Sequence, residues 1–308
     1  MRIAALIPCL NEEVSISNTI LAIKETSLDI DIYVIDNGSS DNTIAMAESS
    51  GALVIREPQK GKGFAIRRGF SAIPNTYDAY FMVDGDDTYG LESLPEAAKL
   101  IYTDGYDLVV GKRLIKESVK SLRKTEFKFG HSLGNWLLSN VFKTLFRIPI
   151  TDTLSGWRLM SPGYVRSFSG GASGFDIEAE LNAHCYTISA AVIEVPVSYQ
   201  GRMQDSHSKI NTYKDGWRIL LRNIRLYRSE RPLIAYSLLA APWALISSII
   251  LYSIFITYQE LGTVPKFPSL IAAVGLFIVA CNLWVTGMIL ERTRQIRVSI
   301  ARSLYSKI

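Results

Sequence analysis

Two stretches of this 308-residue chain, Leu233 to Tyr258 and Ser269 to Leu290, contain no Asp, Glu, Lys or Arg. At about 1.5 Å of rise per residue, either one, as a helix, crosses a hydrocarbon layer roughly 30 Å thick. The rival is a pair of buried core helices, but such helices rarely stay uncharged over two successive runs. The connector from Gln259 to Pro268 is short and carries Pro265 and Pro268, so the spans are expected to form a hairpin. Arg218, Arg222, Arg225, Arg228 and Arg231 precede the first span, and Arg292, Arg294, Arg297, Arg302 and Lys307 follow the second. The connector's only basic residue is Lys266, so the excess of positive charge is expected to place both ends in the cytoplasm. These runs also account for much of the 48% hydrophobic content.

The segment Met1 to Leu10 meets Asn11, Glu12 and Glu13 too soon for a signal peptide and reads as a first β-strand. Cys9, Cys185 and Cys281 are far apart and form no C-x-x-C pair, which argues against disulfides and zinc and suits a reducing compartment. The net charge of +4 is concentrated beside the apolar runs, so it points to anionic lipid headgroups rather than to nucleic acid.

Over the first 115 residues, short β-branched runs alternate with helical patterns, as in a parallel sheet covered by helices. The strands are expected at Ile3 to Leu10, Ile30 to Ile35, Ala52 to Arg56, Ala79 to Val83 and Asp107 to Val110, with a further one at Ala191 to Tyr199. Helical spacing covers Val14 to Glu25, Asp41 to Ser50, Gly63 to Ala72 and Leu91 to Tyr102. Polar clusters follow the first, second and fourth strands, where ligands gather in such sheets. From Lys214 to Arg231, Trp217, Leu220, Leu221, Ile224 and Tyr227 share one helical face and arginines another. This suits an interfacial helix, or one packed on the catalytic core with a solvated arginine face. The expected division is a catalytic domain over 1–213, the amphipathic helix over 214–231, and the hairpin with its basic tail over 232–308.

Asp84-Gly85-Asp86 ends the apolar strand Tyr80-Phe81-Met82-Val83. Two carboxylates one residue apart can turn toward one small hard cation, Mg²⁺ or Mn²⁺, which also takes phosphate oxygens as ligands. Such an ion would neutralise a diphosphate leaving group. Alone the motif is also a common turn cap. Its context is more specific: Asp36-Asn37-Gly38-Ser39-Ser40-Asp41 resembles the D-x-G-S-x-D turn of family 2 glycosyltransferases, and Pro8 to Glu13 resembles that family's P-x-x-N-E opening. The resemblance implies a GT-A fold, an α/β domain with a Rossmann-like mixed sheet. It also implies that Pro8, Asn11, Glu12, Asp36, Gly38 and Ser39 hold the base and ribose of a nucleotide-diphosphate sugar, UDP- or GDP-linked. Gly61-Lys62-Gly63 resembles the family's next element, a glycine turn opening a helix toward the nucleotide, which makes Lys62 and Gly63 donor contacts. It lacks Walker A spacing, and there is no G-x-G-x-x-G.

The second half resembles the polyprenyl-phosphate branch of the family, the enzymes similar to dolichol-phosphate mannose synthase. Asp152-Thr153-Leu154-Ser155-Gly156-Trp157-Arg158 matches D-x-x-S-G-[FY]-R, and Gly111-Lys112-Arg113 matches G-[ST]-R, whose arginine helps bind the acceptor phosphate in that branch. Gly201-Arg202 with Ser206-His207-Ser208-Lys209 resembles its R-x-x-G-x-S-K element, where basic residues approach the donor diphosphate. There are departures. Thr88 stands where the branch carries a metal-assisting glutamine, and Asp87 is an additional acid. The partners of Arg113 at the acceptor phosphate are assigned by position only, to Arg123, Lys124, Lys128, His131 and Ser132. His131 also suits an ordinary polar surface or core position. Asp152, Ser155, Gly156 and Arg158 read as structural. So do Asp176 and Glu178, because a phosphate nucleophile is already anionic and needs no general base.

The resemblance therefore implies an inverting hexosyl transfer to polyprenyl phosphate at the cytoplasmic membrane face. Asp84 and Asp86 would hold the cation, while Arg113, Arg202 and Lys209 balance phosphate charge. The carrier would be undecaprenyl phosphate for a bacterial source and dolichyl phosphate for an archaeal or eukaryotic one. Rivals are a polysaccharide synthase, which would carry a Q-x-x-R-W element and more spans, and a catalytically silent scaffold. Sugar, base and association into a homo-oligomer are left open.

Overall fold

A computed structural model describes residues 1–115, 150–174, 177–200 and 228–306. Two compact units emerge, one from Met1–Gly216 with Ile300–Ile308 and the other from Trp217–Ser299. In chain order the first unit holds β1 (Arg2–Cys9), α1 (Ile16–Glu25), β2 (Asp29–Asp36), α2 (Thr43–Ser49), β3 (Leu53–Arg56), α3 (Lys62–Ala72) and β4 (Ala79–Met82). It continues with α4 (Leu94–Tyr102), β5 (Leu108–Ile115), β6 (Arg158–Met160), α5 (Pro162–Ser167), α6 (Ile177–Ile188) and β7 (Val192–Tyr199).

Among the described residues these strands form a seven-stranded sheet in the order β3-β2-β1-β4-β6-β5-β7. β1 is buried on both faces, as an almost wholly apolar strand must be. Its Ile3, Ala5, Ile7 and Cys9 pack with Ile16, Ile20 and Ile23 of α1 and with Leu94 and Ala97 of α4. Ala4 and Leu6 pack on the opposite side with Ala65 and Ile66 of α3 and Leu181 of α6. Strand winding reverses between β1 and β4, and the loops that follow these two strands border the switch point where ligands bind in open α/β sheets.

The strands of the first 115 residues run parallel to one another, as their alternation with helices predicts, whereas β6, beyond that stretch, runs antiparallel to both β4 and β5. It contributes only Arg158, Leu159 and Met160, too few residues to show a period of two. The mixed sheet is the one implied by the resemblance.

In the second unit, α7 (Pro232–Leu261) and most of α8 (Phe267–Tyr305) contain the two charge-free runs. Only 11% and 17% of their most apolar windows are buried, so by length, composition and exposure the two helices are candidate membrane spans. Within the unit, Ser247 donates from Oγ to the carbonyl of Ala273 at 2.8 Å, and Gly287 lies against Tyr236 and Leu233. Small residues at these points allow close approach of the two antiparallel helices. Past the charge-free run, Arg297 pairs with Glu230 at 2.6 Å, and Arg294 with Glu291 at 2.8 Å. α8 thus continues as a helix where the sequence suggested only a basic tail. Its last turn belongs to the first unit, where Ala301 is buried and the Tyr305 hydroxyl donates to Asp107.

Candidate active site

The loops after β1 and β2 are tied to each other by side-chain to backbone bonds. Asn11 adopts a left-handed conformation (φ 56°), donates its N–H to Ser39 Oγ at 3.0 Å, and accepts from the Ser40 N–H at 2.8 Å. The Glu12 N–H donates to Thr43 Oγ1 at 2.8 Å. Pro8 sits in β1 opposite Ile35. Asp36 is buried, and its carboxylate accepts the N–H groups of Gly38 at 3.2 Å and Ser39 at 3.1 Å, with Gly38 at φ +85°. Its oxygens are thereby engaged in shaping the turn. Asn37 extends the network to the third loop: it accepts from the Gly61 N–H at 2.6 Å and donates to the Gln59 carbonyl at 2.7 Å. Within the Asp36–Asp41 motif, no sequence signal marks Asn37 for this bridging role. Only the position of Gly61, distant in sequence, reveals that role.

After β4, the Gly85 carbonyl accepts from Ser15 Oγ at 2.8 Å, which joins the acidic turn to the first loop. Asp86 accepts from Thr88 Oγ1 at 2.6 Å, and Thr88 is buried, so the departure from glutamine puts a hydroxyl buttress under one carboxylate. Asp84 Oδ1 lies 2.6 Å from Lys62 Nζ, and the same ammonium lies 2.6 Å from Glu178 Oε1. Burial disfavours the Lys62 charge, but Asp84 and Glu178 outweigh it and hold the ammonium above its ordinary range. Lys62 opens α3, and a Cβ on Gly63 would overlap the Ala172 backbone, so only glycine lets α3 begin this close to that segment. A Cβ on Gly156 would likewise overlap the Asp84 carboxylate.

Arg113 makes a forked ion pair with Asp152, with Nε and Nη2 each donating at 2.7 Å. Burial lowers its basicity, yet the bonds to Asp152 raise it further. Asp152 is in turn held by Glu194 of β7, which accepts its N–H at 2.8 Å. The guanidinium stacks on Tyr199 at 5.3 Å, Tyr199 packs edge-on against Tyr89 at 5.1 Å, and the Tyr89 hydroxyl accepts the Gly156 N–H at 2.9 Å. Burial and the charge of Asp84 push the Tyr89 phenol up to about 12. A continuous path of contacts therefore connects Arg113 to Asp84. Neither tyrosine nor Glu194 stood out in sequence, because each sits outside the recognised motifs. Ser155 and Arg158 are fully buried, and Arg158 donates to Asn182 Oδ1 at 2.7 Å and to the carbonyls of Ser155 and Thr153. Arg123, Lys124, Lys128, His131, Ser132, Asp176, Arg202 and Lys209 lie outside the described residues.

The model of Glycosyl transferase family 2 matches residues 4–154, which takes in the first two loops, the acidic turn, Lys62 and Arg113. The chain belongs to glycosyltransferase family 2. Protein RfbJ of Shigella flexneri is 43% identical over 122 residues, covering 40% of this chain and 93% of RfbJ. The dolichyl-phosphate hexose transferase of Haloferax volcanii is 26% identical over 223 residues, 72% of this chain and 92% of that relative. Among solved structures, glucosyl-3-phosphoglycerate synthase from Mycobacterium tuberculosis, in complex with Mn²⁺, UDP-glucose and phosphoglyceric acid, superposes with a TM-score of 0.54 at 22% identity. It covers 72% of this chain and 79% of its own. That likeness places the catalytic unit of this glycosyltransferase in the GT-A fold.

Among the described residues of this glycosyltransferase, no group of three or more His, Cys, Asp or Glu side chains forms a metal cage. Asp84 and Asp86 supply two hard oxygen donors at a loop. That set fits a divalent cation completing its shell with diphosphate and water, and does not fit a caged structural metal.

Proposed function

We propose that this enzyme transfers a hexose, with inversion, from a nucleotide-diphosphate sugar to a polyprenyl phosphate at the cytoplasmic face of a membrane. The observation that carries the reading is the pairing of Lys62 with Asp84, on the loop that also carries Asp86, at the switch point of a GT-A sheet, in a chain that also holds two lipid-suited helices. The likeness to a dolichyl-phosphate hexose transferase supports a lipid phosphate acceptor.

Asp84 and Asp86 would hold Mg²⁺ or Mn²⁺, which when bound offsets charge on the leaving diphosphate. The cross-bonded loops of Asn11 and Ser39 shape the nucleotide seat before the donor arrives, which lowers the ordering cost of binding. Asp152 aims the Arg113 guanidinium, whose remaining charge favours an anionic acceptor beside the donor. Arg202 and Lys209 are assigned to the donor diphosphate, and Arg123, Lys128, His131 and Ser132 to the acceptor phosphate. The acceptor oxygen is anionic and attacks the anomeric carbon in line, so catalysis is positioning and electrostatics, and Glu178 has no proton to remove.

The test is a panel of UDP- and GDP-linked sugars offered with polyprenyl phosphate to the detergent-solubilised full chain. Mass spectrometry should find lipid carrying one hexose. Lipid-free sugar products alone would defeat the acceptor assignment, and long glycans would favour a polysaccharide synthase.

Orientation has its own expected outcome. In a background with Cys281 replaced by Ser, Thr263→Cys in the connector should react with a membrane-impermeant maleimide in intact cells, whereas Ser306→Cys should react only after permeabilisation. The reverse pattern would invert the proposed topology.

A further inference from the structure

The Lys62 ammonium already sits on one oxygen of Asp84, a carboxylate assigned above to a metal ion. Nζ is 2.6 Å from Asp84 Oδ1 and 2.6 Å from Glu178 Oε1, and the Lys62 side chain is only 12% exposed. A second cation arriving at Asp84 would meet strong repulsion from this ammonium, because the surroundings screen it poorly. The other half of the arrangement is Glu178. It is 3% exposed, and its second oxygen, Oε2, is buried without a hydrogen-bond partner. A buried carboxylate oxygen left without a donor is costly unless some state of the protein supplies one. The one ammonium already touching that carboxylate can do so by rotating off Asp84. The backbone need not move, since α3 is wedged against Ala172 at Gly63 and the lysine stem is flexible.

We propose that Lys62 is a resident cation that keeps Asp84 closed to a divalent ion, and that Glu178 is the seat to which it withdraws when ion and donor diphosphate load together. The inference rests on the metal role assigned to Asp84 and Asp86 and deepens it. Free metal binds weakly because it must displace an ammonium. Metal carried with a diphosphate binds well because the phosphate oxygens add ligands and negative charge that offset the displacement of Lys62 onto Glu178. Glu178 thereby acts as a positioning residue with no contact to the reacting atoms.

The test is Mn²⁺ binding to the full chain in detergent, followed by the loss of the free-ion electron paramagnetic resonance signal, with Mn²⁺ alone and with UDP or GDP present. The wild type should bind Mn²⁺ weakly alone and tightly with nucleotide. Lys62→Met should bind Mn²⁺ alone about tenfold more tightly and show a smaller ratio between binding with and without nucleotide than the wild type does. Glu178→Gln should shift the other way, because the ammonium then leans on Asp84 alone. Thermal unfolding identifies any variant that does not fold, and either variant decides the question by itself. Nucleotide-dependent binding by the wild type with Lys62→Met no tighter, or Glu178→Gln no weaker, overturns the gate and leaves the metal role standing. Absence of Mn²⁺ binding with and without nucleotide in every variant overturns both.

Discussion

Asp86→Ala is expected to lower kcat/KM for lipid-linked sugar formation by about 10³-fold or more, the scale on which preorganised electrostatic groups act at a transition state. Asp86 leaves β4 on a turn in which Gly85 is bound to Ser15, and its carboxylate is held from the side by Thr88 Oγ1 at 2.6 Å. The variant removes a hard oxygen donor at the point where diphosphate charge develops. The side chain is only part-buried and does not join the core, so the thermal unfolding midpoint should stay within a few degrees of wild type. The measurement is transfer from radiolabelled donor to polyprenyl phosphate, with EDTA-treated wild type beside it. Near-normal turnover by a folded Asp86→Ala protein would exclude a metal role for this residue. Asp86→Asn keeps the bond to Thr88 but weakens the oxygen donor, and should fall between the two.

The largest stability loss is expected at Arg158. This guanidinium is fully buried and joins Asn182 Oδ1, the Ser155 carbonyl at 3.1 Å and the Thr153 carbonyl at 3.3 Å. Arg158→Met fits the volume but strands several buried acceptors, at a cost of about 3–5 kcal/mol. The unfolding midpoint in detergent should fall by about 10 °C for a unit of this size. The loop it secures carries Gly156, which abuts Asp84 and binds Tyr89, so transfer should weaken below the melting transition as well. Lysine should not rescue, because one ammonium on a flexible stem cannot reproduce a planar fork. An unchanged midpoint in Arg158→Met would show that Arg158 does not hold this loop in place.

Among the described residues, the loops after β1, β2 and β4 are cross-bonded at the carboxyl ends of the strands, and the contacts of several motif residues there could not be read from one motif at a time. Asp36 accepts two backbone N–H groups of its own turn. Lys62, assigned to the donor, is found on Asp84 and Glu178, the latter 116 residues away in sequence. Arg113, assigned to the acceptor phosphate, is forked onto Asp152 from the neighbouring matched motif. Tyr89, Tyr199 and Glu194 connect these groups without any local signal, since an aromatic or acid beside a strand end has many ordinary explanations.

Local order followed from local chemistry. Apolar runs bounded by Asn-Glu, Asp-Asn-Gly and Asp-Gly-Asp specified strands and the turns after them, and two runs without charge specified long apolar helices, because burial on each element depends on its own residues. The neighbours of each strand did not follow in this way. The three-residue β6 lies between β4 and β5, and Lys62 is shared by two carboxylates from distant segments. Such choices depend on the packing and charge balance of segments far apart in the chain, which no periodicity within one of them records.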